Sequence, residues 1–182
     1  MKTVAMQVGE LLIDQDTEAP IVVLHGVEDP NLYLPIFIGG METTAIATAM
    51  AGVELARPLT HDLLVSVLNE VGTYVRKVTI TDLIDGTFYA EITLVDDQGH
   101  KVEVDARPSD GIALALRTGA SLYASEAVLV EAGSMLDAEE RSSDAAVGEP
   151  AEAPKRVGPA AVVDADIRLE DLDPDTFGKY KM

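Results

Sequence analysis

The chain has 182 residues, 47% hydrophobic and 25% charged, enough apolar material for one compact domain with a real core. Thirteen Lys and Arg stand against 32 Asp and Glu, a net charge of −19, which argues against adhesion to nucleic acid or an anionic membrane by bulk attraction. The absence of cysteine excludes disulfides, thiolate metal sites and thiol catalysis.

The N-terminus begins with one basic residue, Lys2, and Gln7 and Glu10 interrupt its apolar run, so no leader peptide is expected. No stretch approaches the ~18 apolar residues of a spanning helix. The expectation is a cytoplasmic protein without membrane contact. Three β-rich runs come first, Val4–Ile13, Ile21–Val27 and Tyr33–Ile38. Glu42–Ala51 then places Ala45, Ile46, Ala49 and Met50 at helical spacing, and His61–Val71 does the same with Leu63, Leu64, Val67, Leu68 and Val71. Strands follow at Val75–Leu83, Phe88–Val95 and Lys101–Ala106. Asp85-Gly86 forms a tight hairpin turn between the first two, and Asp97-Gln98-Gly99 a looser one. Asp110–Thr118 reads as a buried helix, and Ser121–Val130 as a closing strand. Gly52, Gly72 and Gly119 stand where left-handed residues close helices, and the Thr60 and Ser109 hydroxyls where N-caps are expected.

Residues 1–133 form the predicted globule. Residues 134–163 are rich in Ala, Glu and Pro and lack the apolar area to offset ordering entropy, so a disordered acidic linker is expected. Apolar side chains return in 164–182 with Ile167, Leu169, Leu172, Phe177 and Tyr180, either as a frayed terminus or as a short peptide that docks on this globule or a protein partner. The segments LPIFIGGMETTAIATAMAG and VEVDARPSDGIALALRTGA share an order of strand, turn, acid and Ala-rich helix. The triplet ARP recurs at Ala56–Pro58 and Ala106–Pro108 and suggests a competing alignment. Consecutive hairpin strands favour antiparallel pairing and an α+β fold of duplicated strand–helix units.

Polar residues gather beside the helix starts: Glu42 after IGG, then Arg57, Thr60, His61 and Asp62, then Asp105, Arg107, Ser109 and Asp110. The ordinary reading of each is structural, because acids favour helix N-termini and Arg107 can pair with Asp105 or Asp110. The chemical reading is a rim of carboxylates, Glu42, Asp62, Asp105 and Asp110, able to hold Mg²⁺ or Mn²⁺, with an arginine facing phosphate. His61 serves in that reading as a base near neutral pH. No phosphate loop, dinucleotide fingerprint, HExxH or nucleophile elbow is present.

IGGMET, RPLTHDLL, DGTFYAEI and DARPSDGIALALR together resemble the bifunctional nuclease domain family over about Val4 to Val130. The resemblance implies an α+β domain with a mostly antiparallel, barrel-like sheet flanked by helices, and nuclease activity on DNA and RNA. The polar residues at the family's motif positions are Glu42, Arg57, Thr60, His61, Asp62, Asp105, Arg107, Ser109 and Asp110. Thr43 and Gly111 stand where alanine is usual. On this reading His61, Asp105 and Asp110 are catalytic, Arg57, Thr60, Arg107 and Ser109 bind substrate, and Mg²⁺ or Mn²⁺ is the cofactor. Residues 1–136 carry 7 basic and 20 acidic side chains, so nucleic acid is expected to bind weakly and with strong salt dependence. A local basic patch of Arg57, Arg76, Lys77 and Arg107 would have to attract it, and no aromatic stacking platform is visible. The second reading is a non-catalytic interaction module that uses its acidic surface and C-terminal peptide. A homo-oligomer is compatible with either.

Overall fold

The computed structural model describes residues 2–132 and 155–156. Three strands open the chain, β1 (Thr3–Ile13), β2 (Pro20–Gly26) and β3 (Tyr33–Phe37), and two helices follow, α1 (Gly40–Met50) and α2 (Thr60–Glu70). A second meander comprises β4 (Thr73–Ile84), β5 (Thr87–Asp96) and β6 (Lys101–Ala106), succeeded by α3 (Pro108–Thr118) and β7 (Ser121–Ser125). The closing strand is shorter than expected, because residues 126–132 turn into a helix, α4. Buried Ser125 causes the switch. Its hydroxyl accepts from Val128 N–H at 3.2 Å, as an N-cap does, and donates to Thr81 O at 2.9 Å.

The strand order is β3-β2-β1-β7-β4-β5-β6. Each meander fans outward from the centre, and β7 fills the gap between them, antiparallel to β1 and parallel to β4. The remaining pairings along this order are antiparallel. The duplicated units are therefore real, each three strands followed by a helix. The sheet is open and not closed into a barrel, since β3 and β6 are its ends. Of the expected linker, Lys155–Arg156 form a two-residue strand, β8, antiparallel to β1 at Leu12 and Ile13. The rest of that linker and the 164–182 peptide lie outside the described residues.

The core lies between the sheet and helices α1 and α3. Val22, Leu24, Leu34, Ile36, Val78, Ile80 and Ala124 meet Ile46, Ile112 and Leu114 there, all nearly or fully buried. Gly111 sets the depth of α3, because a Cβ at that position would come within 2.6 Å of Val78 Cγ1. Its flexibility costs a fraction of ~1 kcal/mol in helix propensity, and close approach to the sheet is what it provides in return. The hairpin turn has positive φ at both centres, 50° at Asp85 and 75° at Gly86, as its residues predict.

α2 differs from the other two long helices. None of its residues is fully buried, and its apolar stripe faces outward, with Leu63, Leu64, Val67 and Val71 all exposed. Half-buried Val65 packs against the core instead. Neither expected hydroxyl caps a helix. α2 starts after Leu59 and α3 after Arg107, which puts Pro108 at the first helical position, where its missing N–H costs nothing.

Candidate functional site

β3 and β6 each feed a helix through a link of one or two residues. Gly39 is the N-cap of α1 and Arg107 the N-cap of α3, and neither cap is closed by a side-chain hydrogen bond. The third helical residue is an acid in each case, Glu42 and Asp110. Because α1 and α3 pack side by side, these two acids face each other across Arg107. The guanidinium donates from Nε to Asp110 Oδ2 at 2.8 Å, from Nη2 to Asp110 Oδ1 at 3.1 Å, and from Nη1 to Glu42 Oε1 at 2.7 Å. A guanidinium has five N–H groups, so two remain. The Arg107 side chain is 64% exposed, against 19% for Glu42.

Gly39 makes room for this pairing, because a Cβ there would collide with the Glu42 carboxylate. His61 completes the cluster from the start of α2, with Nε2 3.1 Å from Asp110 Oδ1 and a side chain only 16% exposed. Partial burial works to raise the Asp110 carboxyl, but hydrogen bonds from Arg107 and His61 outweigh it and hold the group below the ordinary carboxylate value. The same pairs, with Asp110 first and Glu42 second, raise Arg107 further above its already high value.

Two clefts flank the Arg107–Glu42 pair. One, of about 310 Å³, is lined by Met41, Leu59, Thr60, His61 and Asp110. The other, of about 440 Å³, is lined by Phe37, Gly39, Phe88, Pro108 and Ser109 among others. Arg107 and Glu42 border both.

Of the residues singled out in the sequence, Glu42, His61, Arg107 and Asp110 come together, with Thr60 and Ser109 on the cleft walls. Asp105 does not join them. It is exposed on edge strand β6 opposite Glu91, while the next residue along β5, Ile92, is buried on the face that carries the core. Strand alternation thus sends Asp105 to the other side of the sheet. Asp62 is also elsewhere. One oxygen accepts from Leu59 N–H at 2.8 Å and the other from Arg117 Nε at 2.5 Å. Desolvation raises this carboxyl, yet Arg117 and the Leu59 amide bring it below the ordinary range. Asp62 therefore ties α2 to the last turn of α3 and borders neither of the two clefts at the cluster. Arg57, Arg76 and Lys77 line neither cleft, so the expected basic patch reduces to Arg107.

Two features escaped the sequence reading. Arg117, whose side chain is 9% exposed, also donates to Ala45 O and Ala113 O, joining α1, α2 and α3. Its signal was a lone cation ending an apolar helical run. The aromatic wall of Phe37 and Phe88 was invisible because 51 positions separate two residues that only the folded sheet brings to one cleft.

Among the described residues, no group of three or more His, Asp or Glu is arranged to hold a metal ion. The geometry explains why. Both Asp110 oxygens and one Glu42 oxygen already accept from Arg107, so a guanidinium stands where a divalent ion would have to sit. As arranged, these residues do not fit Mg²⁺ or Mn²⁺.

The sequence motifs agree with the comparison to known proteins. The family model of the bifunctional nuclease domain matches residues 22–137, and the chain belongs to that family. An uncharacterized protein of Mycobacterium tuberculosis strain H37Rv is 41% identical over 131 residues, which is 72% of this chain and 77% of that protein. Bifunctional nuclease 2 of Arabidopsis thaliana is 33% identical over 53% of this chain and 30% of its own length. Bifunctional nuclease 2 of Oryza sativa subsp. japonica is 29% identical over 58% of this chain and 33% of its own length. The match thus spans about a third of these plant proteins. No described helix is long and apolar enough to cross a membrane.

Proposed function

We propose that this domain hydrolyses phosphodiester bonds of nucleic acid at the Glu42–His61–Arg107–Asp110 cluster. The observation that supports this most is the state of Arg107. It is exposed, hydrogen-bonded to two acids, and keeps two N–H groups for a phosphate oxygen. Asp110 orients His61 through Nε2, so that Nδ1 is the ring nitrogen left to take a proton from water. The resulting hydroxide attacks phosphorus, Arg107 stabilises the charge that builds on the phosphoryl oxygens, and the phosphorus–oxygen bond to the leaving group breaks. The imidazolium then returns its proton to the departing alkoxide. No step passes through a metal.

The alternative of a non-catalytic module draws on the same pairing, since three of the five guanidinium N–H groups are spent on acids of this chain. Purified full-length protein with labelled single-stranded DNA, duplex DNA and RNA decides between them, with Mg²⁺, Mn²⁺ or a chelator in parallel. The expected outcome is cleavage in chelator that falls about 100-fold or more in both Arg107→Ala and His61→Ala. Cleavage seen only with an added ion would mean that Arg107 yields its place to a metal. Turnover equal in wild type and both variants, or absent throughout, would favour the interaction module.

A further inference from the structure

We propose that the 440 Å³ cleft beside Arg107 is a nucleobase subsite, which holds one unstacked base of a single-stranded nucleic acid while the adjoining phosphate lies on Arg107. This rests on the reading of Arg107 given above and adds the part of the substrate that reading leaves unassigned. The chain has three phenylalanines, and both of those among the described residues, Phe37 and Phe88, line this one cleft. Phe37 is 59% exposed at the end of β3, an unfavourable place for a large apolar ring unless something covers it.

The two walls come from different halves of the sheet. The end of β3 forms one, and the β4–β5 hairpin at Gly86–Phe88 forms the other. β3 and β5 are not paired, so the space between them is a seam in the open sheet. A planar aromatic group suits such a seam. The volume is within the ~300–1,000 Å³ of small-ligand sites and suits a base with its sugar. At the polar end stand Arg107 and the largely buried Ser109.

Charge makes the same argument. A globule with 7 basic and 20 acidic side chains over residues 1–136 gains little affinity from phosphates, which usually dominate nucleic-acid binding. Stacking is indifferent to net charge and strengthens binding substantially for each base engaged. It supplies what the surface charge withholds. A base inside a duplex is already stacked and paired, so the subsite selects single strands.

The test measures binding by fluorescence anisotropy on the full chain carrying His61→Ala, so that the probe is not consumed. The probes are a labelled thymidine decamer and the same sugar–phosphate backbone with abasic sites throughout. The decamer is expected to bind about ten-fold or more tightly than the abasic backbone. Adding Phe37→Ala should close that gap by weakening the decamer alone, and Phe37→Tyr should preserve it. Equal binding of the two probes, or a gap that survives Phe37→Ala, would overturn the subsite. On otherwise wild-type protein, cleavage that needs Arg107 but proceeds unchanged in Phe37→Ala would overturn the subsite while leaving the hydrolytic reading intact. Unchanged cleavage in Arg107→Ala would bring down both.

Discussion

All three long helices begin with an acid at the third helical position, Glu42 in α1, Asp62 in α2 and Asp110 in α3. Position alone does not decide what such an acid does. Asp62 turns back to the Leu59 amide and out to Arg117, and is consumed in holding helices together. Glu42 and Asp110 stand at equivalent points of the two duplicated units and share one cation. The difference between those units lies at the residue before the helix, glycine in the first and arginine in the second. One unit provides room and the other provides charge. A duplicated scaffold became an asymmetric centre through that single contrast.

Restoring symmetry should have the largest effect. Arg107→Gly gives both units the same N-cap and leaves Glu42 and Asp110 facing each other without a cation. Hydrolysis should fall by about 10²–10³, measured as kcat/KM on a labelled oligonucleotide, with circular dichroism unchanged. The opposite change, Gly39→Ala, keeps the arginine and drives Glu42 off it; activity should then drop by roughly tenfold, which corresponds to the loss of one charge-assisted hydrogen bond.

Arg117 tests the structural acid. Arg117→Met should lower unfolding free energy by roughly 2 kcal/mol in urea melts, because it leaves Asp62 without its cation on a half-buried face. The pH dependence has a definite sign. The folded carboxyls of Asp62 and Asp110 lie below their ordinary value of 3.8, so their contribution is complete above it and disappears as pH falls through the lowered folded values. Arg117→Met should therefore flatten the acid limb of a stability–pH curve. A parallel downward shift with the limb unchanged would count against the pairing.

Smaller effects separate the faces of α3 and α2. Gly111→Ala should destabilise by about 1–2 kcal/mol despite better helix propensity, because the new methyl meets Val78. Val67→Ser, on the outward stripe of α2, should cost under ~0.5 kcal/mol in a thermal melt. A loss of several degrees there would reveal another surface covering the stripe.

Most of the architecture was legible because it rests on local chemistry. Alternating β-branched residues mark the strands, Asp85-Gly86 the hairpin, and Gly52, Gly72 and Gly119 adopt the positive φ expected of helix-closing residues. Expectation and structure part where two local signals compete. Ser109 and Pro108 both suit a helix start, and the proline's fixed geometry won. Ser121–Val130 is apolar enough for a strand, yet Ser125 caps a helix within it. The convergence of Glu42 with Asp110 and His61 followed from helix starts and was foreseeable in kind. The exclusion of Asp105 was not, because it depends on which side of β6 the helix layer covers. Nor were the partners of Arg117, which lie up to 72 positions away.

The placement of β7 carries a consequence for how the molecule comes into being. Residues 121–125 are the last strand of the path from β3 to β6 to be synthesised, and they occupy its middle. A nascent chain can assemble each hairpin as it leaves the ribosome, but no strand pairing joins the two meanders until the keystone arrives. Closing contacts of such long sequence separation makes folding slow relative to helical domains of similar size. A chain interrupted before residue 121 would expose two unjoined strand edges, an invitation to self-association that the finished molecule conceals.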